Sequence, residues 1–560
     1  MKAEVERLLP LLLGLAVAVY FVNLGASSIW DANEAFYVET PREMIESGDY
    51  ISPTFNYEPR LNKPILSYWI VAGFYHLFGV SVAVQRIPIA LGAMVIIAAA
   101  FFLARAAGGT SAALWAAIGL AVSPRLMMFS RRIFIDIYIT MFMALTLLFF
   151  ALSERYPERR RLCLILMYVS VGLGVLTKGP VAAVLPVLVF SLYLLAHREL
   201  GRVKDMMIPL GSVIVLAIVL PWYVLLYQRS GWTYITTFLL GENVGRFTQG
   251  VELGATRPGW FYVPVLFSDS FPWSLFLPVA AWQWISERRR RVGGPDTARR
   301  IRTLLWLWIL VIVAFFSFSA TKQDLYIYPV IPAVAALGGI CLARVRSVES
   351  ASVRGMRATI AVIAGVVVLA GAALLVQFHT AGTVYELSGS AALGSAAIIG
   401  GLAALGLSRS ASVSAGAVAL AGSLIVLNWI FVLRVIPSFE RYKPSPPLAA
   451  FLAERAGPAD VIAHYQVALP SMVYYLRRHI DVTYDRATFL EMLRTKRPLY
   501  AVLSATAYEG LRTEAGIETC LLARQPTFDV KLKNMIAREP LPELVVITNH
   551  CGVPEPDRKQ

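Results

Sequence analysis

The sequence predicts a mainly α, polytopic membrane protein of about thirteen transmembrane helices, followed by a small soluble α/β domain. Its mean hydropathy is +0.62, and 57% of its residues are hydrophobic. Only 16% of the residues are charged, whereas soluble globular domains carry about 25%. Apolar runs recur along the chain and are separated by short basic loops, which is typical of multi-pass membrane proteins.

The apolar runs define the predicted spans, because a transmembrane helix needs about 20 mainly apolar residues. Thirteen runs qualify, and they cover residues 8–25, 85–106, 111–124, 133–152, 162–177, 179–197, 206–227, 261–285, 302–318, 326–344, 358–377, 391–407 and 412–434. The first run resembles a signal-peptide core. Ala26-Ser27-Ser28 is a poor cleavage site, so we expect a retained signal-anchor.

Basic loops predict the orientation of the spans. Clusters of arginine follow every second span, at Arg155–Arg161, Arg198–Lys204, Arg288–Arg302 and Arg344–Arg357, and such loops face the cytoplasm. Ile65–Phe78 is apolar but short for a span. With a cytoplasmic N-terminus, the alternation of loops holds only if this stretch does not cross. We therefore predict a re-entrant or interfacial helix within a first periplasmic loop of residues 26–84.

The tail differs from the rest of the chain. Apolar content falls after Ser438, and a linker is marked by Pro437, Pro444, Pro446 and Pro447. Short apolar runs at 460–465, 499–503 and 544–547 are typical of buried strands. The sequence therefore predicts a transmembrane domain at 1–437 and a soluble, periplasmic α/β domain at 438–560.

Four cysteines make no metal-binding or redox motif. Cys163 and Cys341 lie in or beside apolar runs and are expected to be packing residues. Cys520 and Cys551 share the tail and can form a disulfide if the tail is extracytoplasmic.

The net charge of +15 does not indicate nucleic acid, because the basic residues lie mostly in short loops between apolar runs. The six histidines are scattered, and no spacing typical of a metal site is present. We therefore expect no nucleic-acid partner, no cofactor and no requirement for a divalent metal.

Ionisable residues gather on the predicted outer side. They are Asp31, Glu34, Lys63, Arg131, Arg132, Asp136, Lys178, Arg246, Arg257, Lys322 and Asp324. Basic residues there run against the positive-inside trend, and phosphate is their usual partner. Carboxylates beside them are suited to proton transfer or to orientation of an acceptor. The pattern predicts group transfer from a phosphate-bearing donor at the membrane surface.

An ordered series of motifs over roughly residues 1–340 resembles a known superfamily. The series is Glu34-Ala35-Phe36-Tyr37, Arg42-Glu43-Met44, Lys63-Pro64 to Tyr68-Trp69, Asp136 after Arg131-Arg132, Thr177 to Pro180, Glu242-Asn243 with Arg246-Phe247, Pro272-Trp273-Ser274, and Phe315-Phe316-Ser317 leading to Lys322, Tyr326 and Pro329. It is similar to the bacterial members of the superfamily that includes protein O-mannosyltransferases and lipid A aminoarabinose transferases, which are GT-C type membrane glycosyltransferases.

The resemblance implies an inverting glycosyltransferase in the bacterial inner membrane, with its active site on the periplasmic side. The implied donor is a sugar, such as 4-amino-4-deoxy-L-arabinose, on undecaprenyl phosphate. The implied acceptor is lipid A or another envelope glycolipid, and we expect a monomer. The implied phosphate-binding residues are Lys63 and Arg246, helped by Arg132, Lys178 and Lys322, and the implied pocket tyrosines are Tyr57 and Tyr326.

Asn33 departs from the superfamily pattern, which has aspartate immediately before the glutamate of the first motif. An amide cannot act as a base, so Asp31, Glu34 or Asp136 takes that role, or the acceptor needs little deprotonation. An acceptor that is already anionic, such as a phosphate, is weakly favoured. Asn33 remains a catalytic-site candidate by position.

Other interpretations stay open at this point. Asp31 and Glu34 can cap a helix, and Lys63 can extend to the lipid headgroups. Rival functions are a protein O-glycosyltransferase, a polyprenyl-lipid transporter or flippase, and a structural or receptor role of the tail. Transporters place charges near the bilayer midplane and often have repeated halves, neither of which the sequence indicates.

Overall fold

The computed structural model describes residues 2–31, 33–60, 62–132, 134–248, 257–290, 296–345, 350–380, 384–512, 518–528 and 538–552. Arg291 and Arg346, which belong to predicted cytoplasmic loops, lie outside these residues. The described chain is mainly helical up to Tyr442, and an α/β unit follows.

Every predicted apolar run contains a helix. The helices of the transmembrane part are Lys2–Ala18, Val82–Ala121, Ile135–Arg155, Arg160–Lys178, Val181–Ala196, Ile208–Ser230, Tyr262–Asp269, Leu277–Arg290, Asp296–Ser317, Ile331–Ala343, Ser350–His379, Ser390–Ser410 and Val413–Ile430. In the described part of the chain, nine helices are long and apolar enough to cross a membrane, and a bent pair makes a tenth. Shorter apolar helices are Leu8–Ala18, Leu66–Phe78 and Val181–Ala196.

Four predicted spans differ in detail. The first helix ends at Ala18 rather than near residue 25. The predicted spans 85–106 and 111–124 form one helical stretch that is broken at Gly109, whose φ of 82° favours glycine. The predicted span 261–285 is not continuous, because Gly259–Asp269 and Trp273–Arg289 meet at 110°. Pro272 lies at this bend, and proline supplies no amide hydrogen to continue a helix.

The polar insert between the first two spans folds as two helices joined by a hairpin. Its helices are Asn33–Ser47 and Leu66–Phe78, and its strands are β1, Thr54–Phe55, and β2, Glu58–Pro59. The short helix predicted at Ile65–Phe78 is therefore present. An apolar cluster joins the insert to the longer helices and contains Ile29, Val38, Tyr68, Ile135, Leu176 and Trp222. This packing holds the insert against the helices that carry Asp136 and Lys178.

A buried ion pair holds the insert on the helix Val82–Ala121. Arg86 Nε lies 2.7 Å from Glu34 Oε1, and the two side chains are 2% and 0% exposed. The same guanidinium donates to the carbonyl oxygens of Leu24, Ser27 and Ser28. Since these acceptors belong to the link between the first helix and the insert, Arg86 sets the course of that link.

The C-terminal unit is a five-stranded mixed sheet with helices. Its strands are β3, Val461–Tyr465; β4, Asp481–Thr483; β5, Leu499–Ser504; β6, Cys520–Pro526; and β7, Glu543–Thr548, in the order β4-β3-β5-β7-β6. Its helices are Ser445–Arg455, Ser471–Leu476, Arg486–Arg494 and Ala505–Leu511. The three strands predicted from sequence are present, and β4 and β6 are additional. A disulfide joins Cys520 to Cys551, as the sequence allowed, and Cys163 and Cys341 are buried free thiols.

The sheet unit contacts the polar insert directly. Asn56 Nδ2, at the hairpin, donates to the Ile480 carbonyl at 2.9 Å. The Ile29 amide donates to the Tyr475 hydroxyl at 2.9 Å. The tail thus packs beside the insert rather than extending away from it.

We predict that Glu34→Gln lowers the free energy of unfolding by about 3 kcal/mol or more, because it leaves the buried Arg86 charge without its counterion. Thermal unfolding of the purified protein in detergent measures the loss. Glu46→Gln is the matched control, because the Glu46 side chain is 51% exposed in its pair with Arg42. Equal melting temperatures for the two variants would contradict the prediction.

We also predict that only two of the four cysteines react with a maleimide in denatured, non-reduced protein, and that all four react after reduction. Mass spectrometry counts the labels. Four labels before reduction would show that the disulfide does not form.

Replacing Cys520 and Cys551 by serine removes the closed loop from the unfolded state and lowers the free energy of unfolding by about 3–4 kcal/mol.

Candidate active site

A cavity of about 550 Å³ opens where the polar insert meets the ends of several spans. Its polar lining comprises Asn33, Tyr37, Arg60, Asn62, Lys63, Asp136, Lys178, Glu242, Asn243, Arg246, Thr248, Ser319, Gln323 and Tyr326. Apolar side chains, among them Phe36, Met143, Val184, Phe238 and Phe316, complete the wall. Four cationic side chains face two carboxylates, so the lining has an excess of two positive charges.

Asp136 and Lys178 form an ion pair at one side of the cavity, with side chains 9% and 19% exposed. Asp136 lies in the first turn of Ile135–Arg155, and Lys178 ends Arg160–Lys178. Each charge therefore lies at the helix end whose dipole favours it. Gly179, with a φ of 106°, turns the chain back into Val181–Ala196, and a Cβ there would meet Phe238 at 2.9 Å. The turn fixes the position of Lys178.

Glu242 links Lys63 and Arg246 at the other side of the cavity. One carboxylate oxygen lies 3.1 Å from Lys63 Nζ, and the other lies 2.8 Å from an Arg246 terminal nitrogen. Glu242 lies on the π-helical segment Thr236–Gly245, a rare conformation that is frequent at functional sites. The Tyr234 hydroxyl donates to the Lys63 carbonyl and steadies this segment. Burial lowers the pKa of Lys63, while Glu242 acts in the opposite direction.

Arg60 brings a fourth cation to the cavity. Its guanidinium carbon lies 4.1 Å from the centre of the Phe36 ring, and its Nε donates to the Tyr68 hydroxyl at 3.0 Å. Arg60 was not among the residues predicted from the sequence, and Glu242 belonged to a motif there without an assigned role. Both lie within three or four residues of a predicted phosphate-binding residue, which was the available signal.

Asn33, Asn62 and Tyr326 complete the polar surface. The Asn33 side chain is exposed to the cavity. Asn62 Oδ1 is buried and has no partner among the described residues. The Tyr326 ring centre lies 5.7 Å from Lys178 Nζ. Of the residues predicted from sequence, the structure brings together Asn33, Lys63, Asp136, Lys178, Arg246 and Tyr326.

Two predicted acids do not line the cavity. Asp31 accepts hydrogen bonds from the Ser445 hydroxyl at 2.8 Å and the Ser471 amide at 2.9 Å, so it ties the insert to the C-terminal unit. Burial raises the pKa of Asp31. Glu34 is 1% exposed and is held by Arg86 and by the Trp30 amide. These contacts favour structural roles, so Asp136 is the predicted acid that faces the cavity.

Three further candidates also lie outside the lining. Arg132 stacks on Trp30, with its guanidinium carbon 3.8 Å from the ring centre, and burial lowers the pKa of Arg132 to about 10. Lys322 Nζ donates to the Ser319 carbonyl at 2.7 Å, and Lys322 is not part of the lining. Tyr57 is 41% exposed, and its hydroxyl accepts from Arg42 at 3.0 Å.

The described residues contain no group of three or more His, Cys, Asp or Glu side chains that could hold a metal ion. The ionisable side chains of the lining, besides its tyrosines, are the four cations, Asp136 and Glu242.

Comparisons with known proteins agree with this architecture. A family model described as dolichyl-phosphate-mannose-protein mannosyltransferase matches residues 62–225. An undecaprenyl phosphate-alpha-4-amino-4-deoxy-L-arabinose arabinosyl transferase of Pseudomonas fluorescens strain Pf0-1 is 31% identical over 348 residues, 60% of this chain and 58% of the relative. A second, from strain Pf-5, is 30% identical over 62% of this chain and 58% of the relative. The matched region thus spans less than two thirds of these relatives.

The fold match covers nearly the whole chain. ArnT from Cupriavidus metallidurans, solved bound to undecaprenyl phosphate, superposes with a TM-score of 0.77 at 22% identity, over 98% of both chains. The family match, the relatives and the shared fold together confirm the resemblance predicted from the sequence: this chain is similar to aminoarabinose transferases and to protein mannosyltransferases.

Proposed function

We propose that this protein is an integral-membrane, inverting glycosyltransferase that uses a sugar carried on undecaprenyl phosphate. The proposal depends on one observation: Lys63 and Arg246 both bind the Glu242 carboxylate inside the cavity. The fold that forms this cavity is shared with a protein solved bound to undecaprenyl phosphate. The excess of positive charge in the lining supports an anionic ligand.

Glu242 marks the position for the donor phosphate. Lys63 and Arg246 each contact one oxygen of its carboxylate, and a phosphate presents oxygens that suit the same two cations. Arg246 Nε is buried without a partner among the described residues, so its N–H group is available to donate to a ligand. When the donor binds, its phosphate takes the place of the Glu242 carboxylate between the two cations.

The transfer step involves the lipid-linked donor, the acceptor, Lys63 and Arg246. An acceptor oxygen forms a bond to the anomeric carbon from the face opposite the phosphate. The bond from that carbon to the phosphate oxygen breaks, and its electron pair leaves with the polyprenyl phosphate. Lys63 and Arg246 stabilise the charge that grows on this leaving group, a form of catalysis that is commonly large. Tyr326 and the apolar wall shape the space for the sugar.

Asp136 is the group that receives a proton when the acceptor is a hydroxyl. It faces the cavity and is held by Lys178, which keeps the carboxylate oriented. Asn33 lies where a base is expected in the superfamily but can only donate or accept a hydrogen bond. The cavity therefore has one fewer group that can take up a proton than it would have with the aspartate of the superfamily pattern.

The proposed acceptor is lipid A or another envelope glycolipid, and the proposed location is the periplasmic side of the inner membrane. The disulfide in the tail supports an extracytoplasmic tail, since such bonds persist in oxidising compartments. The tail contacts the insert that lines the cavity, so both lie on one side. A radiolabelled donor separates the alternatives: labelled lipid A supports this proposal, labelled protein supports an O-glycosyltransferase, and movement of intact donor supports a transporter.

We predict that Lys63→Gln lowers kcat/KM for the lipid-linked donor by about 100-fold or more, because the leaving phosphate loses a cation. Steady-state release of polyprenyl phosphate measures the effect. Arg441→Gln is the matched control, since Arg441 is half-exposed and pairs with Glu386 away from the lining. Wild-type kinetics for Lys63→Gln would rule out its contact with the donor phosphate.

We predict that Asp136→Asn lowers turnover by about 100-fold or more with a hydroxyl acceptor, because the reaction then loses the carboxylate proposed to receive the proton. Asp324→Asn serves as the control, since Asp324 pairs with Arg125 and does not line the cavity. Turnover of each variant with the same donor is compared. Unchanged turnover of Asp136→Asn would remove Asp136 from the reaction.

A further inference from the structure

Arg60 differs from the other cations of the cavity, because it has no carboxylate partner among the described residues. Lys63 and Arg246 share Glu242, and Lys178 pairs with Asp136. No ion pair of Arg60 is formed within the described chain, although the residue is half-buried and lines the cavity. A partly buried charge without a counterion is unfavourable, so this site favours an anion from outside the chain.

The surroundings of Arg60 orient its guanidinium without neutralising it. The Phe36 ring lies beneath it at 4.1 Å, and the Phe55 ring lies 5.9 Å away. The Tyr68 hydroxyl accepts from Nε at 3.0 Å, and the Tyr37 hydroxyl is a second hydrogen-bond partner. A guanidinium has five N–H donors in a planar fork, so donors remain for a ligand. Aromatic stacking holds the plane of that fork.

Two amides lie in the same lining. Asn33 is exposed to the cavity, and Asn62 lies two residues after Arg60 with a buried, unpartnered oxygen. Amide groups can bind phosphate or carboxylate oxygens through their N–H donors and hydroxyl groups through their oxygens. The same lining therefore offers Arg60 and neutral amide groups, whereas Lys63 and Lys178 are each paired with a carboxylate.

We propose that Arg60 forms a second anion subsite, separate from the Lys63 and Arg246 pair, and that this subsite binds an oxyanion carried by the acceptor. The inference rests on the proposed function and narrows the acceptor to molecules that carry a phosphate or a carboxylate group. The planar fork of Arg60 matches either oxyanion through two parallel hydrogen bonds. A neutral hydroxyl acceptor gains nothing from this charge.

The test measures binding to the purified full-length protein saturated with undecaprenyl phosphate, which fills the donor subsite. The probes are glucose 1-phosphate, glucuronate and the neutral methyl glucoside. We expect at least one of the anions to bind about tenfold or more tightly than methyl glucoside. Binding of glucose 1-phosphate alone identifies a phosphate, and binding of glucuronate alone identifies a carboxylate. Equal binding of all three probes would overturn the proposal.

Variants then locate the subsite. Arg60→Gln should lose the preference for the anion, whereas Arg60→Lys should keep part of it and guards against a folding defect. Arg229→Gln, which removes a half-exposed arginine paired with Asp49, should behave as the wild type. Binding of undecaprenyl phosphate should change less than twofold in Arg60→Gln. An unchanged anion preference in Arg60→Gln, or an equal loss of undecaprenyl phosphate binding, would overturn the subsite.

A Lys63→Gln background separates this inference from the proposed function. If the wild type fails to bind undecaprenyl phosphate, the proposed donor is wrong, and the residual anion binding in Lys63→Gln still reports on Arg60. If that binding persists and disappears in the Lys63→Gln, Arg60→Gln double variant, the second subsite stands. If it is the same in the single and double variants, the second subsite is wrong.

Discussion

The rest of the site depends on the ion pair and hydrogen bonds that the buried Arg86 guanidinium makes. Arg86 is 1% exposed, and it holds Glu34 together with three carbonyl groups of the link between the first helix and the insert. In a region of low dielectric constant these bonds are strong, and an unpaired charge there is costly. They fix the link from which the insert extends in two directions, with Asp31 toward the C-terminal unit and Asn33 toward the cavity.

Two cation–π contacts with the Trp30 indole strengthen the same link. Arg132 and Lys443 lie on the Trp30 ring at 3.8 and 3.9 Å, and Lys443 also donates to the Ser28 carbonyl. Burial lowers the pKa of Lys443 to about 8. The transmembrane part, the insert and the tail therefore share one polar junction. The cavity beside it can keep four cations because the neighbouring backbone is held in place by contacts that the cavity does not use.

The sequence was informative for features that depend on residues close together along the chain, such as apolar helices and strands. Long apolar runs predicted the helices, and short apolar runs predicted β3, β5 and β7. Lys63 and Lys178 were noted because basic residues on the outer side run against the positive-inside trend, and the resemblance implied that they bind phosphate. Glu34 looked equally suitable, but its partner Arg86 lies inside a predicted span, and no local pattern connects the two. The break in 261–285 was also missed, because hydropathy measures the length of an apolar run and not its direction.

The sequence by itself determined that this chain is a membrane protein with an α/β tail, because the cost of exposing or burying a residue is a property of its side chain. It also indicated three of the four cations of the cavity, Lys63, Lys178 and Arg246, but not Arg60. Only the tertiary structure decided which charges meet. Glu242 lies 179 positions from Lys63, and Arg86 lies 52 positions from Glu34. Coulomb energy depends on distance in space, and that distance is set by how the helices and the insert pack.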